Sequence, residues 1–164
     1  MKRRLGVAMV LAALAAVCVA QSTTAGPAKP NFAGTWKLNL SKSDLGQMVP
    51  TSETDTITQT ADVFKIEVVS VSERGNRDTT YSAKLDGTDT PNEAPANTPF
   101  RILSTKAEWH GSSLVITQTT SFQDSKGTLQ STYTLSDDGK TLTKATHVVF
   151  DQGAFDSKSV YDKA

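Results

Sequence analysis

The pattern of hydrophobic and polar positions in this 164-residue chain changes from one apolar run to a series of short alternating segments. From Leu5 to Ala20 nearly every residue is apolar, whereas from Asn31 onward apolar side chains alternate with polar ones. Alternation with a period of two places the apolar side chains on one face of an extended strand. Because no stretch sustains the period of a helix, the second part of the chain predicts an all-β domain.

The alternation predicts strands that are separated mainly by short turns rich in Gly, Asp and Asn. The predicted strands are Gly34–Asn39, Thr54–Thr60, Val63–Ser72, Arg77–Leu85, Phe100–Trp109, Ser113–Phe122, Thr128–Leu135, Thr141–Phe150 and Ala154–Tyr161. Short turns make neighbours in sequence pair antiparallel, and closing the sheet on itself removes its exposed edges. The prediction is therefore an up-and-down antiparallel meander closed into a small β-barrel of about 8–10 strands.

Two connections are longer than the rest. Residues 41–53 are expected to hold a turn of helix around Lys42–Gln47, and residues 86–98 form a loop punctuated by proline.

The same alternation assigns an inward face to each strand and so predicts the residues that would line a cavity. These are Phe64, Ile66, Val68, Leu114, Ile116, Tyr133 and Val148, with Tyr161 near the last strand. Polar Gln118, Thr120, Ser131 and Ser159 fall on the same face, which favours a partly hydrated cavity. Two alternatives stay open: a one-residue shift of register would exchange the faces, and a filled barrel would use the same aliphatic residues.

The N-terminal segment has the features of a secretory signal peptide. Three basic residues precede the apolar run, which is shorter than the roughly 18 residues that indicate a membrane span. We expect a signal peptide over residues 1–20 that is cleaved after Ala20, with a cut after Ala25 as second choice. A flexible leader over residues 21–30 and a barrel domain over residues 31–164 follow. The expected location is secreted or periplasmic, with no stable membrane anchor.

Removal of that segment changes the charge and the cysteine content. The single cysteine, Cys18, would be lost, and with it any disulfide, cysteine nucleophile or cysteine metal site. Losing Lys2, Arg3 and Arg4 takes the 17 basic residues to 14 against 17 acidic ones, a net charge of −3. No nucleic-acid partner is expected of such a surface. The sequence leaves the oligomeric state open.

The opening stretch Phe32–Leu38, read with a closing Val160–Lys163, resembles the lipocalin and fatty-acid-binding-protein (calycin) superfamily. It is similar in particular to secreted bacterial lipocalin-like proteins. The resemblance implies a lipocalin-like barrel in which Trp36 closes one end and Gly34 lets the backbone approach the indole. Both residues would then be structural.

The chain departs from that superfamily at two places. Lipocalins stack an arginine of the last strand across the indole, but here that strand offers only Lys158 and Lys163. Fatty-acid-binding proteins hold a carboxylate with Arg-x-Tyr, and the matching stretch here is Ser159–Tyr161. The resemblance therefore implies a barrel and does not imply a long-chain carboxylate as ligand.

Candidate chemistry outside the barrel interior is sparse. His110 lies in a turn and His147 in a strand, and a metal site would need a third ligand such as Asp138 or Glu108 brought near by the fold. No Gly-x-Ser-x-Gly occurs. We predict no catalytic residue, no metal and no cofactor, and the sequence leans against an enzyme. Arg101 opens a strand after the long loop and is the arginine best placed to point a charge at a cavity mouth.

The sequence favours an exported, non-catalytic barrel that binds a small hydrophobic or amphipathic molecule. The alternative is an envelope interaction module with a filled core, which would act through its loops on a protein or polysaccharide. An enzyme is the third choice. A continuous cavity of roughly 300 Å³ or more would favour the carrier over the filled module.

Overall fold

The structure is a computed structural model that describes residues 28–46, 49–73, 75–92, 99–122 and 125–164. The predicted signal peptide and most of the predicted leader lie outside these residues. The described residues form a 3₁₀ turn at Leu40–Lys42 and ten strands: β1 (Gly34–Leu38), β2 (Ser52–Gln59), β3 (Val63–Ser72), β4 (Gly75–Lys84), β5 (Thr90–Pro91), β6 (Phe100–His110), β7 (Ser113–Phe122), β8 (Ser125–Leu135), β9 (Thr141–Phe150) and β10 (Gly153–Lys163).

All ten strands belong to one antiparallel sheet in the order β4-β3-β2-β1-β10-β9-β8-β7-β6-β5. Strands that are neighbours in sequence pair with each other, except that β4 and β5 do not pair; in addition, β1 pairs with β10. Trp36 lies opposite Lys163, and Leu38 lies opposite Tyr161. The first and last strands therefore meet, and the sheet curls into a nearly closed barrel. The predicted all-β meander and its closure into a small barrel are confirmed.

The two longer connections differ in detail from the sequence prediction. The 3₁₀ turn begins at Leu40, two residues before the predicted helical turn, because the Asn39 side chain caps it by accepting a hydrogen bond from Lys42 N at 3.3 Å. The predicted end of that turn, Gln47, lies outside the described residues. The loop after β4 contains one strand that was not predicted, the two-residue β5. This strand ends at Pro91, because proline cannot donate to a ladder.

The two edge strands of the sheet, β4 and β5, do not pair through their backbones, and side chains bridge the gap between them. We call this gap the side-chain seam. Ser82 N donates to Asn92 Oδ1 at 3.4 Å, and Lys84 N donates to Thr90 Oγ1 at 3.1 Å. Asn92 N in turn donates to Leu103 O at 3.0 Å, which ties the loop to β6. The loop side chains thus occupy main-chain donors of β4 that a neighbouring strand would otherwise satisfy.

An aromatic plug of Phe32, Trp36, Phe64, Trp109 and Tyr133 closes one end of the barrel. Trp36 is fully buried, and its Nε1 donates to Phe32 O at 2.9 Å. Phe32 stacks on Trp109 with ring centroids 6.0 Å apart, and Phe64 packs against Tyr133 at 5.5 Å. Most of the buried apolar core lies at this end, which leaves the other end free for a cavity.

The cation that faces the indole is a lysine. Lys163 Nζ lies 5.3 Å from the centroid of the Trp36 ring, within the range of a cation–π interaction. Gly34 stands beside this contact with a φ of 141°, and a Cβ there would lie 3.3 Å from Lys163 Cε. Glycine at this position therefore allows both the backbone conformation and the close approach of the lysine.

Candidate ligand cavity

A cavity of about 850 Å³ opens at the end of the barrel opposite the aromatic plug. Its mouth is bordered by the ends of β6, β7, β9 and β10. Four phenylalanines there form an aromatic rim, and Phe122 and Phe155 are 46% and 49% exposed. The rim consists of Phe100, Phe122, Phe150 and Phe155. Exposed aromatic side chains around an opening give an apolar molecule a favourable entry.

A polar stripe of Gln118, Ser131, Thr146 and Lys144 crosses the inner wall of the cavity on β7, β8 and β9. Ser131 lies directly opposite Thr146 in the ladder, and their hydroxyl oxygens are 3.0 Å apart. Gln118 lies diagonally from Ser131 on the neighbouring strand, since Ser131 pairs with Ile116. The four side chains share one face because each is an inward position of its strand.

Gln118 is the member of the stripe that lacks a protein partner. Its side chain is 3% exposed, and its Nε2 has no hydrogen-bond partner within the described part of the chain. A buried amide donor without an acceptor costs stability, so such a group calls for an explanation. Gln118 borders the cavity, so a turn of its shielded amide group would bring this donor to a bound molecule.

A charge cluster of Glu53, Asp55 and Lys144 lies at the inner part of the cavity. Lys144 Nζ is 3.5 Å from Glu53 Oε1 and 3.4 Å from Asp55 Oδ2. Tyr161 donates its hydroxyl to Glu53 Oε1 at 2.6 Å, and its ring centroid is 5.0 Å from Lys144 Nζ. Glu53 and Asp55 share the inner face of β2 because they are two residues apart.

The environment of the cluster shifts its titration. Burial lowers the pKa of Lys144, but the carboxylate of Asp55 and the other surrounding groups outweigh it and hold the pKa well above its ordinary value. The pKa of Asp55 is raised, because burial of this fully buried carboxyl outweighs the attraction of Lys144. Lys144 therefore stays charged at neutral pH beside a carboxyl group that holds its proton more readily than a free aspartate.

Glu53 and Tyr161 shift in opposite directions. Burial raises the pKa of Glu53, but Lys144 and the hydrogen bonds from Tyr161 and Ser70 together lower it below its ordinary value. Burial raises the pKa of Tyr161, which keeps its hydroxyl protonated and able to donate to Glu53. The ion pair at the cavity wall is thus Glu53 with Lys144.

The residues predicted to line the cavity lie at different depths in the barrel. Val68 and Val148 line it, and buried Tyr161 contacts its lining residue Glu53. Five others pack in the core towards the plugged end: Phe64, Ile66, Leu114, Ile116 and Tyr133. Arg101 is half-buried outside the cavity lining, and its Nε is buried without a partner among the described residues. A ligand-binding role for each of these residues stays a prediction.

The sequence interpretation did not name several cavity residues. Glu53 falls just before the predicted start of its strand, and Lys144 was not expected on an inner face. The signal that could have found Glu53 is its spacing of two from Asp55 and Ile57, which puts all three on one face. The pairing of Lys144 with Asp55, 89 residues away in sequence, has no local signal.

The described residues offer neither a metal site nor a membrane-spanning helix. They contain no group of three or more His, Cys, Asp or Glu side chains placed to hold a metal ion. Nor do they include a helix with the length and apolar character needed to cross a membrane. His147 lies on the surface, where its Nδ1 is 2.7 Å from Asp156 Oδ1.

Comparison with solved structures identifies similar barrels. The zebrafish ileal bile acid-binding protein, crystallised in complex with cholic acid, matches with a TM-score of 0.55 and 17% identity over 81% of this chain and 98% of its own. Secretory abundant heat soluble protein 4 from Ramazzottius varieornatus matches with a TM-score of 0.49 and 13% identity over 84% of this chain and 97% of its own. No protein-family model and no curated protein matches the sequence.

The similarity to the zebrafish protein extends over nearly all of that protein's length. It agrees with the antiparallel ten-stranded meander that curls into a nearly closed barrel. The protein therefore has a calycin-like barrel fold, the fold of lipocalins and fatty-acid-binding proteins.

Proposed function

We propose that this protein binds a small amphipathic molecule in the barrel cavity and performs no covalent chemistry on it. The observation that carries the proposal is the cavity of about 850 Å³, which combines an apolar aromatic rim with a polar inner wall. Ligand sites for small molecules usually occupy roughly 300–1,000 Å³ and combine apolar lining with a few polar groups. Both features of such sites occur here in one space.

The fold supports the same proposal. The zebrafish barrel holds cholic acid, an amphipathic molecule, so a barrel of this architecture can enclose a ligand of that kind. The low identity carries the fold and not the ligand. A filled interaction module is less well supported here, because the side chains of the described residues leave the end opposite the plug open.

We also propose that the protein is exported. The support is the sequence of residues 1–20, with a basic start and an apolar run, which is typical of a secretory signal. Intact-mass measurement of the protein isolated from its own host tests this directly, and a mature chain that begins at Gln21 is the expected result. A chain that retains the N-terminal segment would contradict export by cleavage.

A pair of neighbouring valines offers a matched test of ligand binding. Val148 points into the cavity and is 4% exposed, whereas Val149 points outward and is 42% exposed. Val148→Trp should fill the cavity and lower the affinity for an uncharged fluorescent apolar probe, N-phenyl-1-naphthylamine, at least tenfold. Val149→Trp should leave it unchanged. Leu129→Trp, at a half-buried lining position, is the second blocking variant should Val148→Trp fail to fold.

The result that contradicts the proposal is equally direct. If folded wild-type protein binds neither the probe nor any compound of an extract of its host, or if both blocking variants bind the probe as wild type does, the cavity is not a ligand site. Circular dichroism and thermal unfolding establish that each variant is folded. Native mass spectrometry of protein from its own host gives an independent reading, since a retained ligand adds mass.

A further inference from the structure

Resting on the proposed function, we propose that the cavity selects uncharged amphipathic molecules and disfavours carboxylates. In this arrangement a hydroxyl or carbonyl oxygen of the ligand meets the polar stripe and accepts a hydrogen bond from Gln118 Nε2. The apolar part of the ligand then extends towards the aromatic rim. The inference names the chemical class of ligand that the proposed function leaves open.

The charge cluster carries the first step of the argument. Lys144 is the cation on the inner wall of the cavity, and two carboxyl groups, Glu53 and Asp55, lie within 3.5 Å of its Nζ. With Asp55 protonated the cluster is neutral, and with Asp55 ionised it carries one negative charge. In neither state is the cluster positive. A carboxylate that reaches the inner wall would lose its hydration and find no free cation there among the described residues to replace it.

Gln118 carries the second step. Its Nε2 is a buried donor on the cavity wall without an acceptor in the part of the chain that the structure describes. An oxygen acceptor on a ligand would satisfy it, and discrimination by such a buried polar group is strong because an analogue without the oxygen leaves it unpaired. The ligand should therefore carry an oxygen at the end that enters first.

The hydroxyl pair beside Gln118 favours the same group. In the 3.0 Å contact between Ser131 and Thr146, one hydroxyl donates and the other accepts. The accepting hydroxyl keeps its own hydrogen, and both oxygens keep unused lone pairs. A ligand hydroxyl can thus accept from Gln118 and donate to this pair, whereas a carboxylate can only accept.

Of the described residues that line the cavity, Arg77 is the second cation besides Lys144, and it lies at the mouth. Its side chain is exposed at the start of β4. A carboxylate held there would stay in solvent, where an ion pair contributes little. This alternative places the charged end of a ligand outward, so a variant at Arg77 separates it from the proposal.

The test compares ligands with the same chain and different ends. Dodecanol, dodecanoate and dodecylammonium compete with the fluorescent probe at pH 7.5, with the alcohol below its solubility limit and the two ions below their micelle concentrations. We expect dodecanol to bind at least tenfold more tightly than either ion. Gln118→Leu should weaken dodecanol about tenfold, while Gln130→Leu, an exposed glutamine on the outer face of β8, should leave its affinity unchanged.

A charge variant tests the other half of the proposal. Glu53→Gln combined with Asp55→Asn leaves Lys144 as an uncompensated cation and should raise the affinity for dodecanoate at least tenfold. Adding Lys144→Met to this pair should abolish the gain. If the double variant does not fold and the triple variant does, the triple variant should still bind dodecanol as wild type does, because it keeps Gln118. Loss of dodecanol binding in the folded triple variant would contradict the proposal.

The outcomes separate this inference from the function on which it rests. If wild-type protein binds dodecanoate or dodecylammonium as tightly as dodecanol, the inference is wrong and ligand binding stands. Suppose that wild type binds dodecanoate as tightly as dodecanol and that Arg77→Gln removes the binding of dodecanoate. The carboxylate then lies at the mouth, and the inference is again wrong. If no compound displaces the probe and Val148→Trp does not affect probe binding, the proposed function itself fails.

Discussion

Replacing Lys144 with methionine tests whether the charge cluster is held together by its single cation. Methionine keeps an unbranched apolar chain of similar length and removes only the ammonium group. Glu53 and Asp55 would then face each other across the cavity wall without a counter-charge. All three side chains of the cluster are largely buried: Lys144 is 16% exposed, Glu53 13% and Asp55 0%.

The size of the effect follows from that burial. Removing one partner of a buried ion pair costs about 3–5 kcal/mol, because the remaining charge is left uncompensated. The lower end of that range applies here, since Glu53 borders a cavity open to water and keeps its hydrogen bond from Tyr161. We expect Lys144→Met to lower the free energy of unfolding by about 3 kcal/mol at pH 7, a large part of the stability of a domain of this size.

Urea unfolding of three proteins provides the measurement. Wild type, Lys144→Met and the neutral triple variant Glu53→Gln, Asp55→Asn, Lys144→Met are compared at pH 7. The triple variant should lie within about 1 kcal/mol of wild type, because no buried charge remains. A loss below about 1 kcal/mol for the single variant would refute the reasoning, as would a triple variant that is destabilised as much as the single one.

The pH dependence gives a second check with a defined sign. In wild type the lowered pKa of Glu53 contributes stability that is lost as pH falls through its folded value, whereas the raised pKa of Asp55 favours the folded state as that carboxyl takes up a proton. These two effects oppose each other. Without Lys144 both carboxyl groups bind protons more tightly when folded, so the deficit of Lys144→Met should shrink between pH 7 and pH 5. A deficit that grows on acidification would contradict this.

Substitutions at three further places test other parts of the barrel by urea unfolding. Trp36→Ala should cost about 3–5 kcal/mol as a large core truncation, whereas Lys163→Met, which removes only the cation over the indole, should cost about 0.5 kcal/mol; equal losses would contradict a plug held by packing. Gln118→Leu should raise stability by about 1 kcal/mol, since it removes a buried unpaired donor; a loss would mean that the amide is satisfied. Gly127→Ala should cost about 1–3 kcal/mol, because its Cβ would overlap the Phe150 ring and lie 2.8 Å from the Val149 carbonyl oxygen; Phe150→Leu in the same chain should recover part of the loss, and no recovery would argue against the ring as the cause.

The strand pattern was predictable because local alternation and turn residues determine it. Each inward position on β3 and β7 follows from a period of two, and the short turns force antiparallel neighbours. Closure of the sheet was expected because it removes exposed edges, but the sequence alone left open whether β1 and β10 meet. The short β5 was not predicted, since two residues within a proline-rich loop carry no periodic signal.

Depth along the barrel was not predictable from the same pattern. Alternation distinguishes inside from outside, but the inward positions of one strand run from the plug to the mouth. Ile66 therefore packs in the core and Val68, two residues further along the same strand, lines the cavity. The charge cluster was missed for a related reason, because its members are compensated by contacts between strands that are distant in sequence.

The side-chain seam between β4 and β5 has a consequence for how the molecule avoids self-association. A strand edge with free amide groups is a template for pairing with another chain. Thr90 and Asn92 occupy two such amides of β4, at Lys84 and Ser82, with side-chain oxygens in place of the backbone carbonyls of a paired strand. These two side chains therefore protect the edge of β4 from pairing with another chain. Replacing both Thr90 and Asn92 with alanine would leave the two amides free and favour association through this edge.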